Sequence, residues 1–254
     1  MKIFFIVPAR DKLRLKEKCE ELERLKNPYI VVCGEPIDHP NIIYREPRGK
    51  YDAINFGYQF IPNDVEVIGL NDVDTKIHNF KAITDLFEKM NAALVFASVK
   101  VRSGPQRFFY RILDPLRKMI FIAASGELML IRHDIFKKII PLKRCKSEDS
   151  YILFKVLELG GKVEFCEESY VTTERTNNEN QEEHYKRRTS GGIYQALSMT
   201  RAPVQIKIFY KLLPFFSFIL LIFGKKGYYW SRGIIKGYID YLRGDISGNW
   251  KNTY

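Results

Sequence analysis

The sequence predicts an open α/β sheet with mostly parallel strands, helices on both faces and an apolar tail. Two observations predict the sheet and a third the tail. Short runs of β-branched and aromatic residues alternate with stretches of helical character through the first hundred residues, the pattern of β–α–β units. Polar clusters, Pro8-Ala9-Arg10-Asp11 and Asn71-Asp72-Val73-Asp74, fall where two of those runs end. In an open α/β sheet that edge binds ligands. The third observation is a basic, apolar C-terminal segment unlike the rest of the chain. At 254 residues there is room for one large core with a smaller appendage.

Lys2–Pro8 is an apolar run closed by proline and reads as a buried strand. Lys12–Lys26 sets Leu13, Cys19, Leu22 and Leu25 among charges and reads as an amphipathic helix. Tyr29–Cys33, stopped by Gly34, is a second strand, and Ile42–Tyr44 a weaker third. Tyr51–Phe60 predicts a helix and Val65–Leu70 a fourth strand. Ile77–Met90 predicts a helix and Ala92–Val101 a strand. Arg102–Lys118 breaks the alternation, mixing Arg102, Arg107, Arg111, Arg117 and Lys118 with Phe108, Phe109 and Tyr110. Glu127–Arg132 reads as a strand and Asp134–Ile140 as a short helix. Ser147–Gly160 has every helix signal: Ser147 to cap it, Glu148 and Asp149 at its positive end, Gly160 to stop it. Lys162–Cys166 is a last strand, and Glu174–His184 reads as a polar loop.

Hydrophobic residues at 46% and charged residues at 28% are ordinary for a folded domain, but a net charge of +11 is not. Nine Lys/Arg and two Asp/Glu fall between Arg201 and Tyr254, so +7 of that charge sits in the last 54 residues. Because this segment is also the most apolar, an anionic membrane surface suits it and nucleic acid does not. The four cysteines are widely spaced, which predicts reduced thiols with no disulfide framework and no zinc site. No charged leader and cleavage site precede the first strand, so no secretory signal is read.

Asp72 and Asp74 lie two residues apart at a strand end, where alternation relaxes and both carboxylates can turn toward one hard cation. Alone, such a triplet is equally a solvated loop. It is not alone. Pro8-Ala9, Gly49-Lys50…Ala53…Asn55, Asp72-Val73-Asp74, Ser125-Gly126-Glu127 and Glu148-Asp149…Gly160 follow in order over residues 1–200. In this order and spacing the chain resembles the family 2 glycosyltransferases of the GT-A fold.

The resemblance implies a glycosyltransferase of hexosyltransferase type with a nucleotide-sugar donor, UDP-linked before GDP-linked, and Mn²⁺ or Mg²⁺ as cofactor. It makes Asp74 the metal ligand, with Asp72 assisting or meeting the donor ribose. Lys50 would lie near the nucleotide or its phosphates, with Pro8, Ala9 and Arg10 at the end of the first strand. Asp149 matches the base that deprotonates the acceptor in a single inverting displacement. Where the family often carries an acidic pair that reads the base, this chain has Cys33-Gly34-Glu35, leaving Glu35. The Gln-x-x-Arg-Trp motif of processive members is reduced to Gln181 and a Trp-less Tyr185–Gly192, which implies transfer of one sugar. Arg187 and Arg188 could bind the donor diphosphate or an anionic lipid, or form a solvated helix face. The competing readings are a membrane-docked nucleotide-sugar-binding protein without activity and a sugar nucleotidylyltransferase. The latter would call for a glycine-rich loop after the first strand, where Pro8-Ala9-Arg10-Asp11-Lys12 has no glycine.

Residues 201–254 are expected to form a membrane-associated helical segment appended to a catalytic domain of residues 1–200. Leu212–Phe223 carries no charge and is bracketed by Lys211 and Lys225-Lys226. Counted from Ile208 the run is ~24 Å long as a helix, short of the ~20 residues a bilayer core needs. Tyr228–Leu242 mixes aromatics with Arg232, Lys236 and Asp240. Two helices lying in one leaflet at the cytoplasmic face, or a buried core helix, are the alternatives. The first brings a lipid-linked acceptor, such as a polyprenyl phosphate, within reach.

Overall fold

The computed structural model describes residues 1–104, 106–174 and 178–245. The chain runs β1 (Ile3–Ala9), α1 (Leu15–Arg24), β2 (Tyr29–Cys33), β3 (Ile42–Tyr44), α2 (Lys50–Tyr58), β4 (Val67–Asn71) and β5 (Thr75–His78). It continues with α3 (Phe80–Met90), β6 (Leu94–Val101), α4 (Gln106–Ile120), β7 (Leu128–Arg132), α5 (His133–Ile139), α6 (Glu148–Glu158) and β8 (Val163–Thr173). Then come α7 (Glu179–Ser198), α8 (Val204–Phe216), a 3₁₀ stretch Ser217–Phe223, and α9 (Gly224–Leu242).

The strands form one eight-stranded sheet in the order β3-β2-β1-β4-β7-β6-β8-β5. β3, β2, β1 and β4 are parallel to one another. β7 enters antiparallel to both β4 and β6, β8 runs parallel to β6, and β5 closes the edge antiparallel to β8. The parallel half follows from the βαβ alternation read in the sequence. The antiparallel pairs give a mixed sheet overall.

β1, β2 and β4 are apolar on both sides because both sides are covered. Phe4 and Ile6 of β1 join Ile68, Leu70, Phe96 and Met129 under the helices that include α5 and α6. Phe5 and Val7 point the other way and join Leu15, Leu22, Ile83 and Phe87 of α1 and α3. This is the strict alternation of strand side chains.

Three elements differ from the sequence reading. The helix expected over Ile77–Met90 starts later: Ile77 and His78 end the four-residue β5, and Asn79, at φ 52°, separates it from α3. The basic aromatic stretch after residue 102 contains α4, a helix despite Pro115. The polar segment Glu174–His184 is largely the start of α7, with residues 175–177 outside the described part; Asn178 caps it by accepting from the Asn180 amide at 2.9 Å. α7 looked like a loop because its buried face is polar and small, where leucines would have signalled a helix. Glu182 accepts from the Trp230 indole at 2.6 Å, Glu183 from Lys236 at 2.6 Å, and Gly191 lies against Gly237.

The tail folds as a hairpin. By length and composition the helical stretch Val204–Leu242 is apolar enough to cross a membrane. The backbone turns back at Gly224, however, where φ is +62°. A Cβ on Gly227 would fall 1.7 Å from the Leu220 carbonyl oxygen, and the Ser217 and Ser231 hydroxyls meet at 3.2 Å. Residues seven and fourteen apart touch only if the 3₁₀ stretch and α9 run alongside each other. α9 buries Trp230 and Ile234 against the core, with Trp230 stacked on Phe109 at 4.1 Å. α8 buries Ile206 and Tyr210 but leaves Phe215, Phe216, Ile219 and Ile222 of the hairpin 72%, 55%, 58% and 74% exposed. Residues 246–254 of the tail lie outside the described residues.

Candidate active site

The register of β2, β1 and β4 brings their carboxyl ends to one edge. Ala9 pairs with Cys33 and Ile6 with Leu70. Pro8 and Ala9 are buried there, and Arg10 is exposed at the rim. The chains approach closely at Gly34, whose amide donates to the Ala9 carbonyl at 3.0 Å. A Cβ at Gly34 would lie 2.2 Å from the Arg10 carbonyl, so only glycine fits. Glu35 follows on this rim and its carboxylate accepts from the Lys12 amide at 3.4 Å. A small concavity lies beside it, lined by Ala9, Gly34, Pro47, Gly49 and the Arg45–Asp52 pair, whose fork closes at 2.9 and 3.1 Å.

Lys50 opens α2 directly after Gly49, which takes φ +125° to make the turn. Its ammonium reaches across to Asp72 Oδ1 at 2.7 Å and Glu148 Oε1 at 2.8 Å. Gly126 lies beneath: a Cβ there would stand 3.0 Å from both the Lys50 ammonium and the Asp149 Cβ. Ser125 ties that loop down by donating to the Ala97 carbonyl at 2.5 Å. Asn55 holds the chain leading to α6 through both its amide groups, to the Leu142 carbonyl at 3.0 Å and the Leu142 amide at 2.7 Å. Ser147 occupies the cap position of α6, but its hydroxyl donates to the Thr189 carbonyl at 3.2 Å, correcting its expected role as a side-chain cap. Asp149, in the first turn, accepts from the Ser150 amide at 2.7 Å.

Fragments from four parts of the chain thus converge, and the site is crowded with negative charge. Asp72 is pushed up to about 7 by burial and by Asp74 and Glu127, against the pull of Lys50. Asp149 is pushed up to about 6 by burial, then Glu148 and Glu127, again against Lys50. Burial opposes the charge on Lys50, but Asp72, Glu148 and Asp149 outweigh it and hold the ammonium well above its ordinary range. A surplus of carboxylates around one lysine suits a divalent cation, and all the donors are hard oxygens. Among the described residues no three His, Cys, Asp or Glu side chains converge to chelate an ion by themselves. Asp74 lies close enough to raise the Asp72 carboxyl, and two such hard-oxygen donors would need a diphosphate and water to complete a cation's shell.

The α7 arginines part company. Arg187 spends its Nε and one terminal nitrogen on Asp240 of α9, at 2.5 and 2.7 Å, so it ties α7 to α9. Arg188 has a buried Nε with no hydrogen-bond partner among the described residues. Burial lowers the Lys146 ammonium, helped by Arg188 and Arg187 and resisted by Asp240. Lys146 and Arg188 thus lie near one another beside the loop into α6, with Asp240 and Asp245 offsetting part of their charge. His184 is exposed, and the four cysteines are free and buried. A broad groove of about 900 Å³ opens at the amino ends of β1 and β4, lined by residues including Met1, Tyr58, Glu66 and His133. Its charges are taken up locally, Met1 by Glu66 at 3.7 Å and His133 by the Val65 carbonyl at 2.8 Å, and it is remote from the acidic cluster.

Sequence reasoning gives Lys18 no role and names Asn71 and Glu127 only as members of their motifs. Lys18 is one of the unnamed charges of the Lys12–Lys26 helix, yet it is 2% exposed. A signal existed: residues 15, 18, 19 and 22 share one helical face, and the other three are Leu, Cys and Leu.

No protein-family model and no curated protein sequence matches the chain. Solved structures do match in fold. A mannosyltransferase from Pyrobaculum calidifontis, PcManGT, in complex with GDP-Man and Mn²⁺, aligns over 95% of this chain and 87% of its own, with TM-score 0.70 and 14% identity. Residues 1–349 of TarS from S. aureus align over 96% and 92%, with TM-score 0.53 and 12% identity. GalNAc-T7 with UDP, GalNAc and Mn²⁺ aligns over 68% of this chain and 43% of its own, with TM-score 0.52 and 14% identity. The fold is of the GT-A type, with an apolar helical segment at its C-terminal end.

Proposed function

We propose that the protein is a metal-dependent, inverting glycosyltransferase that moves one sugar from a nucleotide-sugar to a lipid-linked acceptor at a membrane. The observation that carries this reading is the single lysine held between Asp72 and Glu148, with Asp149 beside it, at the carboxyl edge of a GT-A sheet. The bound Mn²⁺ of two structural neighbours, one with GDP-Man and one with UDP, supports the cofactor and donor class.

The base of the nucleotide would lie over the small concavity lined by Ala9, Gly34 and Gly49, near the strand end that carries Pro8, Arg10 and Glu35. Lys50 would release Asp72 to meet the donor and turn its ammonium to the diphosphate. Mn²⁺ or Mg²⁺, held by Asp74 and Asp72, would neutralise the diphosphate as it leaves. Asp149 takes the proton of the acceptor hydroxyl while that oxygen forms its bond to the anomeric carbon. The bond to the diphosphate oxygen breaks on the opposite side and its electron pair stays with the diphosphate, so configuration inverts. A carboxylate poised near neutrality suits this proton transfer. Arg188 and Lys146 supply charge for a phosphate on the acceptor or the donor.

The membrane part rests on the hairpin. Its exposed apolar face is flanked by the exposed Lys207, Lys211, Lys225 and Lys226, and it continues onto α4, where Phe108 packs on Phe223 at 4.9 Å. Apolar area plus cations is the combination that docks a protein on an anionic leaflet, here the cytoplasmic face. The test is a panel of UDP- and GDP-sugars measured for binding with and without Mn²⁺, then for transfer to a polyprenyl phosphate in vesicles. Binding of a nucleotide-sugar that Mn²⁺ does not strengthen would overturn the reading.

A further inference from the structure

We propose that Lys18 is a positioning residue for the Asp72–Asp74 turn, fixing both of its ends for a cation and a diphosphate; this rests on the cation reading above. An ammonium has three donors, and three acceptors meet it. These are Glu21 Oε2 at 2.6 Å, Asn71 Oδ1 at 2.7 Å and the Thr75 carbonyl at 2.5 Å. Asn71 immediately precedes Asp72, and Thr75 immediately follows Asp74. One buried group therefore grips the turn at both ends while its hydrogen bonds leave the two carboxylates to other partners.

The clamp extends outward. The Asn71 amide donates to the Glu127 carbonyl at 2.5 Å and to Thr75 Oγ1 at 3.0 Å. The Thr75 hydroxyl donates to the Asp72 carbonyl at 2.8 Å, and Glu21 Oε1 accepts the Ile77 amide at 2.6 Å. The two ends of the turn are thereby tied to α1 and to the loop carrying Glu127.

Stability alone does not account for this arrangement. A buried ion pair is commonly no more stabilising than apolar residues of the same volume. Leu15, Cys19 and Leu22 already pack the same face of α1. What the ammonium adds is direction, since three short bonds set three oxygens in place. Paired with Glu21 at 11% side-chain exposure, Lys18 is locally neutral and leaves the turn's negative field available to a cation. Outer partners that hold ligand-bearing groups typically contribute ~10–100-fold to metal affinity.

The experiment is calorimetric titration of Mn²⁺ into the full chain with GDP or UDP present, alongside nucleotide binding in EDTA and a melting curve. The variants are Lys18→Met/Glu21→Gln, which removes both buried charges together, Asn71→Ser, and Asp74→Ala. We expect the double variant and Asn71→Ser to weaken Mn²⁺ binding ~10–100-fold while nucleotide affinity in EDTA is unchanged. A purely structural role would lower the melting temperature and leave Mn²⁺ affinity of the folded protein as in wild type, and that result overturns the proposal. If the double variant does not fold, Asn71→Ser, which keeps the Lys18–Glu21 pair, decides on the same criterion. Asp74→Ala separates the two levels. Lost Mn²⁺ binding there with none lost in the others overturns Lys18 alone; unchanged binding there overturns the cation reading, and Lys18 with it.

Discussion

Asp149→Asn should make the protein more stable and almost inactive, and both effects follow from one feature of the site. Burial and the carboxylates of Glu148 and Glu127 raise Asp149 from 3.8 to about 6. Between those values the native state holds a proton that the unfolded state has released, so stability falls as pH rises through that window. Below about 4 both states are protonated and the penalty is absent; above about 6 it is complete. The full rise is worth ~3 kcal/mol, which screening at a partly exposed group reduces to ~1–2 kcal/mol. The amide carries no charge, so at pH 7 the variant should gain that amount, a rise in Tm of ~2–6 °C for a chain of this size. Turnover should fall ~10²–10⁴-fold, because the amide cannot take the acceptor's proton. Wild-type turnover should itself decline as pH drops through about 6, where the base becomes protonated. Differential scanning fluorimetry in EDTA from pH 4 to 8 reads the first effect, and transfer assays the second. A variant less stable than wild type at pH 7, or one retaining more than a tenth of its turnover, a loss too small for a base, would refute the assignment.

Three further outcomes test the rest of the site. Asp74→Ala should fold normally but abolish the gain in GDP or UDP affinity that Mn²⁺ gives, read by calorimetry with and without the ion. Gly126→Ala should cut kcat ~10-fold with little change in Tm, because its methyl would press at 3.0 Å on Lys50 and Asp149 and shift them by tenths of an ångström; unchanged kcat would mean that the loop yields freely. Phe216→Glu/Ile219→Glu/Ile222→Glu should leave the melting curve unchanged, since these side chains face outward. Vesicle binding should weaken by ~3 kcal/mol, or ~100-fold, at about 1 kcal/mol per half-exposed side chain, and cosedimentation with anionic vesicles measures it.

The parallel half of the sheet was legible because each of its strands is a continuous apolar run with a polar stop. Tyr29–Cys33 and Ile42–Tyr44 match residue for residue, and Asn71-Asp72 does mark the end of β4. The placement of Lys50, Gly126 and Asp149 around one point was legible only through motif order, since no local pattern connects positions 50, 126 and 149. What stayed hidden was held by long-range polar contacts. β5 exists because Thr75–His78 pairs with Tyr170–Thr173, and four residues alone give too little alternation to see. Arg187 reads equally as a phosphate or lipid ligand and as part of a solvated helix face, because Asp240, 53 residues away, is not visibly its partner. Lys18 looked exposed because a lysine on a helix usually is.

The tail divides between two jobs, and the division explains its composition. α9 carries Lys236 and Asp240 inward to α7, where Lys236 meets Glu183 and Asp240 meets Arg187, and its glycines let the two backbones close up. Removing α9 would strand Glu183 and Arg187 without those partners and uncover Trp230's place against Phe109. Losing these pairs together with the Trp230–Phe109 stack is unfavourable, so α9 behaves as part of the domain that α7 belongs to. α8 and the 3₁₀ stretch have no such partners on their outer face; Phe215, Phe218, Ile219 and Ile222 face solvent. Leaving so much apolar area uncovered is unfavourable in water and marks an interaction surface. The α7 loop contact at Ser147–Thr189 then joins the two jobs. α7 braces the segment that presents Asp149, and α9, packed on both α7 and the 3₁₀ stretch, links it to the outward apolar face.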